Sequence, residues 1–332
     1  MKVVVDNKIP YIFPALDALG LEVVAMAGAD IDPADVRDAD ILIVRTRTHV
    51  GSALLHGSSV RLVVTATIGY DHLDTTWLDA VGIEWHNCPG CNATSVAQYV
   101  ETSLLALTEE RGLRLDRSTL GIVGYGHVGT AVHEALKGKM RNILTCDIKA
   151  GDFCSLQDIA QQCDIISFHT PLTMDGPHPT WHLADKAFFD SLQHRPVIIN
   201  AARGGVVDEQ ALLCAMDAGR VGAAIIDTWE HEPHPDPTLL RRAFIATPHI
   251  AGYSADGKAN ATRMCLKYVR KSLRIPGTEV DNPLFHPEQY LPVVAARTPL
   301  ERYDPRRDSE TLKQAPHMFE FLRGNYPLRR EK

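Results

Sequence analysis

Short apolar runs separated by amphipathic stretches recur along residues 2–252, and that rhythm narrows the folds open to the chain more than any other feature. A first series occupies residues 3–5, 23–26, 41–44, 62–67 and 83–86; a second occupies 120–123, 143–146, 165–168, 197–199, 224–226 and 244–246. Runs this short, without polar alternation, suit strands buried on both faces, which is the condition of a parallel sheet covered by helices. Amphipathic stretches such as 15–19 and 75–80 supply the covering helices. At 332 residues the chain exceeds one ordinary core, so two or three domains are expected.

Between the two series, residues 94–111 place Val96, Val100, Leu104 and Leu107 at helical spacing, which predicts a long helix joining two domains. The second series opens with an apolar run that enters Gly124-Tyr125-Gly126-His127-Val128-Gly129 and continues as an amphipathic helix over 130–136. In that strand-to-helix setting G-x-G-x-x-G is a specific sign of dinucleotide binding. Gly124 allows the tight turn, Gly126 lets the backbone approach a pyrophosphate, and Gly129 permits close helix–strand packing. Asp147 ends the next run, where an acid is expected to bind the ribose hydroxyls and repel a 2′-phosphate, which favours NAD. Both series thus predict α/β, Rossmann-like doubly wound parallel-sheet domains.

Three runs of the second series end in residues with complementary chemistry. Arg203 follows 197–199, Glu232 follows 224–226, and His249 follows 244–246. Ligands of open α/β sheets sit beyond the carboxyl ends of the strands, so these side chains are expected in one cleft. A guanidinium can grip a carboxylate, an imidazole can carry a proton, and a carboxylate can hold the imidazole and favour its charged form.

These segments, from about residue 3 to about residue 275, resemble the D-isomer-specific 2-hydroxyacid dehydrogenases, whose catalytic Arg, Glu and His occupy such motifs. The resemblance implies Arg203, Glu232 and His249 as the catalytic set. It implies an NAD site of Gly124, Gly126, His127, Val128, Gly129, Asp147, Thr170, Ala201, Ala202, Arg203, Asp227 and Gly252. It also implies substrate contacts from Thr46, Thr67 and Tyr253, with Arg45, Arg47 or a tail arginine such as Arg306 or Arg307 meeting a phosphate. The expected domains are 1–93 with 254–275 as substrate (lid) domain, 94–253 as NAD-binding domain, and 276–332 as a shortened C-terminal dimerisation domain. A small phosphorylated 2-hydroxy acid is the implied substrate and a homodimer the implied assembly. The alternatives left open are a relative acting on 3-phosphoglycerate or on glyoxylate and hydroxypyruvate, and a non-enzymatic NAD-sensing corepressor.

A net charge of −7 offers no long-range attraction for nucleic acid or an anionic membrane, so neither is expected as a partner. No apolar run approaches a membrane span, and the N-terminus reaches charge before a signal-like stretch forms, making a cytoplasmic location the expectation. Seven cysteines suit reduced thiols. Cys88-Pro89-Gly90-Cys91 matches C-x-x-C but lacks a second ligand pair, so it reads as a loop entering a helix, and no metal is expected. From residue 275 prolines interrupt every run. Leu284, Phe285, Tyr290, Leu291, Val293, Val294, Met318, Phe319, Phe321, Leu322 and Tyr326 nevertheless argue for a packed appendage over a disordered tail.

Overall fold

The computed structural model describes residues 1–274, 295–327 and 329–331. They fall into two units, one made of residues 1–92 with 254–274 and the other of 93–253 with 295–331. The apolar residues expected at 284–294 lie outside the described residues.

In the first unit, β1 (Lys2–Asp6), β2 (Glu22–Met26), β3 (Ile41–Val44), β4 (Leu62–Thr65) and β5 (Glu84–His86) form one parallel sheet in the order β2-β1-β3-β4-β5. Strand periodicity divides the side chains between two cores. Val3, Val5, Ile41, Ile43, Leu62 and Val64 face one, while Val4, Leu42, Val44 and Val63 face the other. Helix Ala255–Ser272 returns to this unit and buries Ala261, Cys265, Leu266 and Val269 in the first of these cores. Its Thr262 hydroxyl donates to the Pro10 carbonyl at 2.8 Å, tying residues far apart in sequence.

The second unit holds β6 (Thr119–Val123), β7 (Asn142–Cys146), β8 (Ile165–Phe168), β9 (Val197–Asn200), β10 (Ala223–Ile226) and β11 (Ile245–Ala246). All pair in parallel in the order β11-β10-β9-β8-β6-β7. The order reverses between β6 and β8, and the crevice outside their carboxyl ends is where such sheets take ligands. Helix Ala93–Arg111 begins this unit and buries Val96, Val100, Leu104 and Leu107 against Leu120, Ile122 and Ile199.

The C-terminal segment is the one expected to form a dimerisation domain. Its described residues pack on the second unit, with Leu312 and Phe319 in one core and Tyr303 in the other. The reason is the short edge strand β11, whose exposed backbone groups need cover. Helix Pro305–Gln314 supplies it: Ser309 Oγ accepts from the Ala246 amide at 2.9 Å, and the Lys313 ammonium donates to the Ala243 carbonyl. Pro305 opens this helix behind the N-cap Asp304, because the first turn has no use for its missing N–H.

Candidate active site

Gly124 follows β6 with φ +92°, and a Cβ there would lie 2.7 Å from the His169 carbonyl carbon and 2.8 Å from the Thr170 amide nitrogen. The turns after β6 and β8 can meet this closely only because residue 124 has no side chain. Helix His127–Leu136 starts at Gly126 without a side-chain cap, so the first-turn amides of His127, Val128 and Gly129 face the crevice mouth with the positive end of the helix dipole. Asp147 follows β7 and accepts from the amides of Tyr125 at 2.6 Å and Lys149 at 3.0 Å, which fixes its carboxylate beside the glycine turn. Each oxygen retains acceptor capacity for a hydroxyl. Thr170 Oγ1 and His169 Nδ1, after β8, and Thr228 Oγ1, after β10, are buried without a hydrogen-bond partner among the described residues. Burial pushes the His169 imidazole down to about 3, so it is neutral. Uncapped amides after β6, an oriented acid after β7 and the orphaned Thr170 hydroxyl after β8 fit a dinucleotide. Because Asp147 would face a 2′-phosphate with like charge, kcat/KM with NAD is expected to exceed that with NADP by about 10²-fold. Comparable values for the two cofactors, measured by steady-state kinetics, would remove Asp147 from that role.

The loop after β9 carries Ala201, Ala202 and Arg203. Asn200 shapes it, its Oδ1 accepting from the Ala202 amide at 3.2 Å and its Nδ2 donating to the Arg203 carbonyl at 3.1 Å. The half-buried Arg203 guanidinium donates back to the Ala202 carbonyl at 2.8 Å. Gly204 is required by packing, since a Cβ there would sit 1.8 Å from the Trp229 carbonyl oxygen.

Glu232 and His249 meet. The imidazole Nδ1 lies 3.0 and 2.9 Å from the two Glu232 oxygens, and Glu232 Oε1 also accepts from the Trp229 amide at 3.0 Å. Burial raises the Glu232 carboxyl, but the hydrogen bond and charge of His249, the Trp229 amide and the Arg323 cation together leave it below its usual value. His249 has φ +57°, a left-handed conformation that costs a non-glycine residue roughly 1–2 kcal/mol and persists only where neighbours enforce it. Asp227 is one such neighbour. Its fully buried carboxylate accepts from Thr247 Oγ1 at 2.7 Å, the Ile250 amide at 2.8 Å and the Ala251 amide at 2.9 Å. Burial pushes the Asp227 carboxyl up, and these donors work against that shift. Asp227, expected from the resemblance at the cofactor, is in this structure the anchor of the His249 loop.

Several organising residues carry no local signal in the sequence. Tyr99 and Thr247 hydroxyls lie 2.8 Å apart, and Trp229 Nε1 donates to the Thr247 carbonyl at 2.9 Å. His182 Nε2 lies 3.1 Å from Glu230 Oε1, which also accepts from the Glu209 amide at 2.9 Å. Among the described residues His182, Asp208 and Glu230 are grouped closely enough to hold a cation, a cluster the sequence reading did not single out. Their hydrogen bonds brace the turn that leads to Glu232.

The remaining expected residues fall as follows. Thr46 and Arg47 are exposed after β3, and Thr67 follows β4 with its hydroxyl donating to the Gly69 carbonyl at 2.7 Å. Arg45 is paired through Nε with the buried Asp6 at 3.1 Å, which gives it a structural anchor inside its own unit. Arg306 is engaged in ion pairs within the second unit. Its guanidinium is held by Asp304, Glu109 and Glu110 at 2.7–3.1 Å, because the helix end it faces is acidic. Tyr253 packs edge-on to Tyr326 with centroids 6.2 Å apart, and Gly252 closes the His249 loop.

A nucleotide crevice at the sheet's switch point, with an Arg and a Glu–His dyad at the ends of neighbouring strands, defines an NAD-linked 2-hydroxyacid dehydrogenase. Residues 93–251 match the model of the D-isomer-specific 2-hydroxyacid dehydrogenase NAD-binding domain, and the chain belongs to that family. Its curated relatives include the erythronate-4-phosphate dehydrogenases of Bacteroides fragilis, 48% identical over 100% of this chain and 97% of theirs, and of Porphyromonas gingivalis, 41% identical over 100% and 94%. Among solved structures, the NAD⁺-bound 3-phosphoglycerate dehydrogenase of Entamoeba histolytica superposes with TM-score 0.71 at 25% identity, covering 83% of this chain and 96% of that one. D-2-hydroxyisocaproate dehydrogenase matches in fold with TM-score 0.70 at 22% identity, covering 84% and 98%.

Proposed function

We propose that the chain oxidises 4-phospho-D-erythronate at C2 to 2-oxo-3-hydroxy-4-phosphobutanoate, the reaction that places it in pyridoxal 5′-phosphate biosynthesis. The observation that carries the chemistry is the Glu232–His249 pair at 2.9 Å. With Nδ1 held by the carboxylate, Nε2 is the nitrogen that takes the C2 hydroxyl proton, and Glu232 stabilises the imidazolium formed. Arg203 grips the substrate carboxylate and polarises the forming carbonyl. The amides of His127 to Gly129, Asp147 and Thr170 would hold NAD, which would supply the hydride acceptor. The particular substrate is supported by full-length relatives of that name at 40–48% identity. Thr46, Thr67 and Tyr253 are proposed as substrate contacts, with Arg45 and Arg47, in the loop that follows β3, as the cations for the phosphate.

NADH formation with a panel of 2-hydroxy acids tests the reading. Unphosphorylated erythronate is expected to lose about 10–100-fold in kcat/KM, because charge-assisted hydrogen bonds to the phosphate are worth some 1.5–3 kcal/mol each. Equal efficiency with erythronate and its 4-phosphate, or a preference for 3-phosphoglycerate or glyoxylate chemistry, would replace this substrate and leave the dehydrogenase class standing.

We also propose a homodimer, in which the C-terminal segment with its exposed Phe321 contributes contacts. Light scattering that gives a monomer mass at micromolar concentration would end that proposal. Among the described residues no helix is long and apolar enough to cross a membrane. Among the described residues no disulfide is formed, and the sulfurs of Cys88 and Cys265 stand 3.7 Å apart as thiols, which supports a reducing, cytoplasmic setting that cell fractionation would check.

A further inference from the structure

Arg329 stands almost at the end of the chain, yet it is only 9% exposed. Its guanidinium reaches into the second unit and finds oxygens on every side. Nη1 donates to the Ile250 carbonyl at 3.0 Å, Nη2 to the Ala251 carbonyl at 2.5 Å and Ser95 Oγ at 3.1 Å, and Nε to Gln98 Oε1 at 3.0 Å. The cation lies 4.1 Å over the Tyr303 ring. The hydroxyls of Tyr303 and Tyr326 donate to Asp308 at 3.1 and 2.8 Å, placing a counter-charge one side chain away. A buried guanidinium is tolerated only when its donors are satisfied in this way.

The backbone it holds is that of the catalytic loop. Asp227 accepts from the amides of Ile250 and Ala251, and Arg329 donates to the carbonyls of the same two residues. His249, in its left-handed conformation, immediately precedes them. A second tail arginine, Arg323, lies 3.4 Å from Glu232 Oε2, so the tail meets the dyad's carboxylate directly and the backbone that follows its imidazole through Arg329. These arginines lie outside the residues 93–251 that carry the family's NAD-binding domain.

We propose that Arg329 is a positioning residue for the reaction: it clamps the Ile250–Ala251 backbone from the carbonyl side and thereby sets the His249 ring against Glu232. The inference rests on His249 as proton carrier. The C-terminal segment is on this view part of the catalytic centre, acting through the loop without touching substrate.

Arg329→Met in the full chain, assayed beside the parent, tests it. Displacing the imidazole by about 1 Å is expected to lower kcat by roughly 10²-fold while KM for the hydroxy acid and the NAD Kd change little. Arg329→Ala should regain part of its kcat in millimolar guanidinium, and Arg329→Lys should keep more activity than Met. An NMR titration of the His249 ring, which needs no substrate, should be displaced in the variant, because its contact with the carboxylate is loosened. A parent inactive on every 2-hydroxy acid would count against the proposed function, and the titration would still decide the clamp. Superimposable titrations or kcat within a few-fold of the parent overturn the clamp, as does a loss that falls on KM or NAD affinity without guanidinium rescue. Should Arg329→Met fail to fold, Gln98→Leu leaves the guanidinium in place and removes its Oε1 acceptor, together with the Nε2 bonds to the Arg330 and Glu331 carbonyls that hold the same tail: a several-fold kcat loss at constant KM supports the clamp, and unchanged kcat with an unmoved titration overturns it.

Discussion

Replacing His249 with alanine is expected to lower kcat by ~10²–10⁴-fold, the usual worth of a positioned proton carrier, with NAD affinity unchanged. The separation of effects follows from the geometry. His249 contacts Glu232 and follows β11, whereas the uncapped helix turn and Asp147 that suit the dinucleotide follow β6 and β7. A fluorescence titration with NADH and steady-state kinetics on the same preparation read the two quantities. Activity within a few-fold of the parent would dismiss His249 as the acid/base. A parallel loss of NADH binding would instead show that the substitution had collapsed the loop.

Asp227→Ala is expected to be as damaging by a different route. Three donors, from Thr247, Ile250 and Ala251, would be left buried without an acceptor. At roughly 1–3 kcal/mol for each orphaned group, discounted for relaxation, a stability loss of about 2–5 kcal/mol follows. The left-handed His249 would lose the amide-side hold on its loop, and kcat is expected to fall by about 10²-fold through misplacement of the ring. Urea unfolding and kinetics measure both. A variant with the parent's unfolding midpoint but weakened NAD binding would return Asp227 to the cofactor and refute its role as loop anchor.

What could be read from the sequence is what short-range physics encodes. Alternation within runs such as Val3-Val4-Val5 and Ile41-Leu42-Ile43-Val44 assigns successive side chains to opposite faces, so the parallel sheets and their two-sided cores were legible. The glycine turn was legible because Gly124 answers to backbone sterics confined to a few residues. Arg203, Glu232 and His249 were visible as strand-end residues, but their meeting was an inference from topology. Only the tertiary structure decided the rest, because satisfying a buried polar group depends on partners the chain delivers from far away. Asp227 meets the amides of Ile250 and Ala251, Tyr99 meets Thr247, and Arg329 meets carbonyls some eighty residues earlier in the chain. The tail read as a proline-broken appendage since its hydrophobic residues lack a period of their own. Packed against the bare edge of β11, with Leu312 and Phe319 in the core and Ser309 on the Ala246 amide, it completes the unit that holds the dyad.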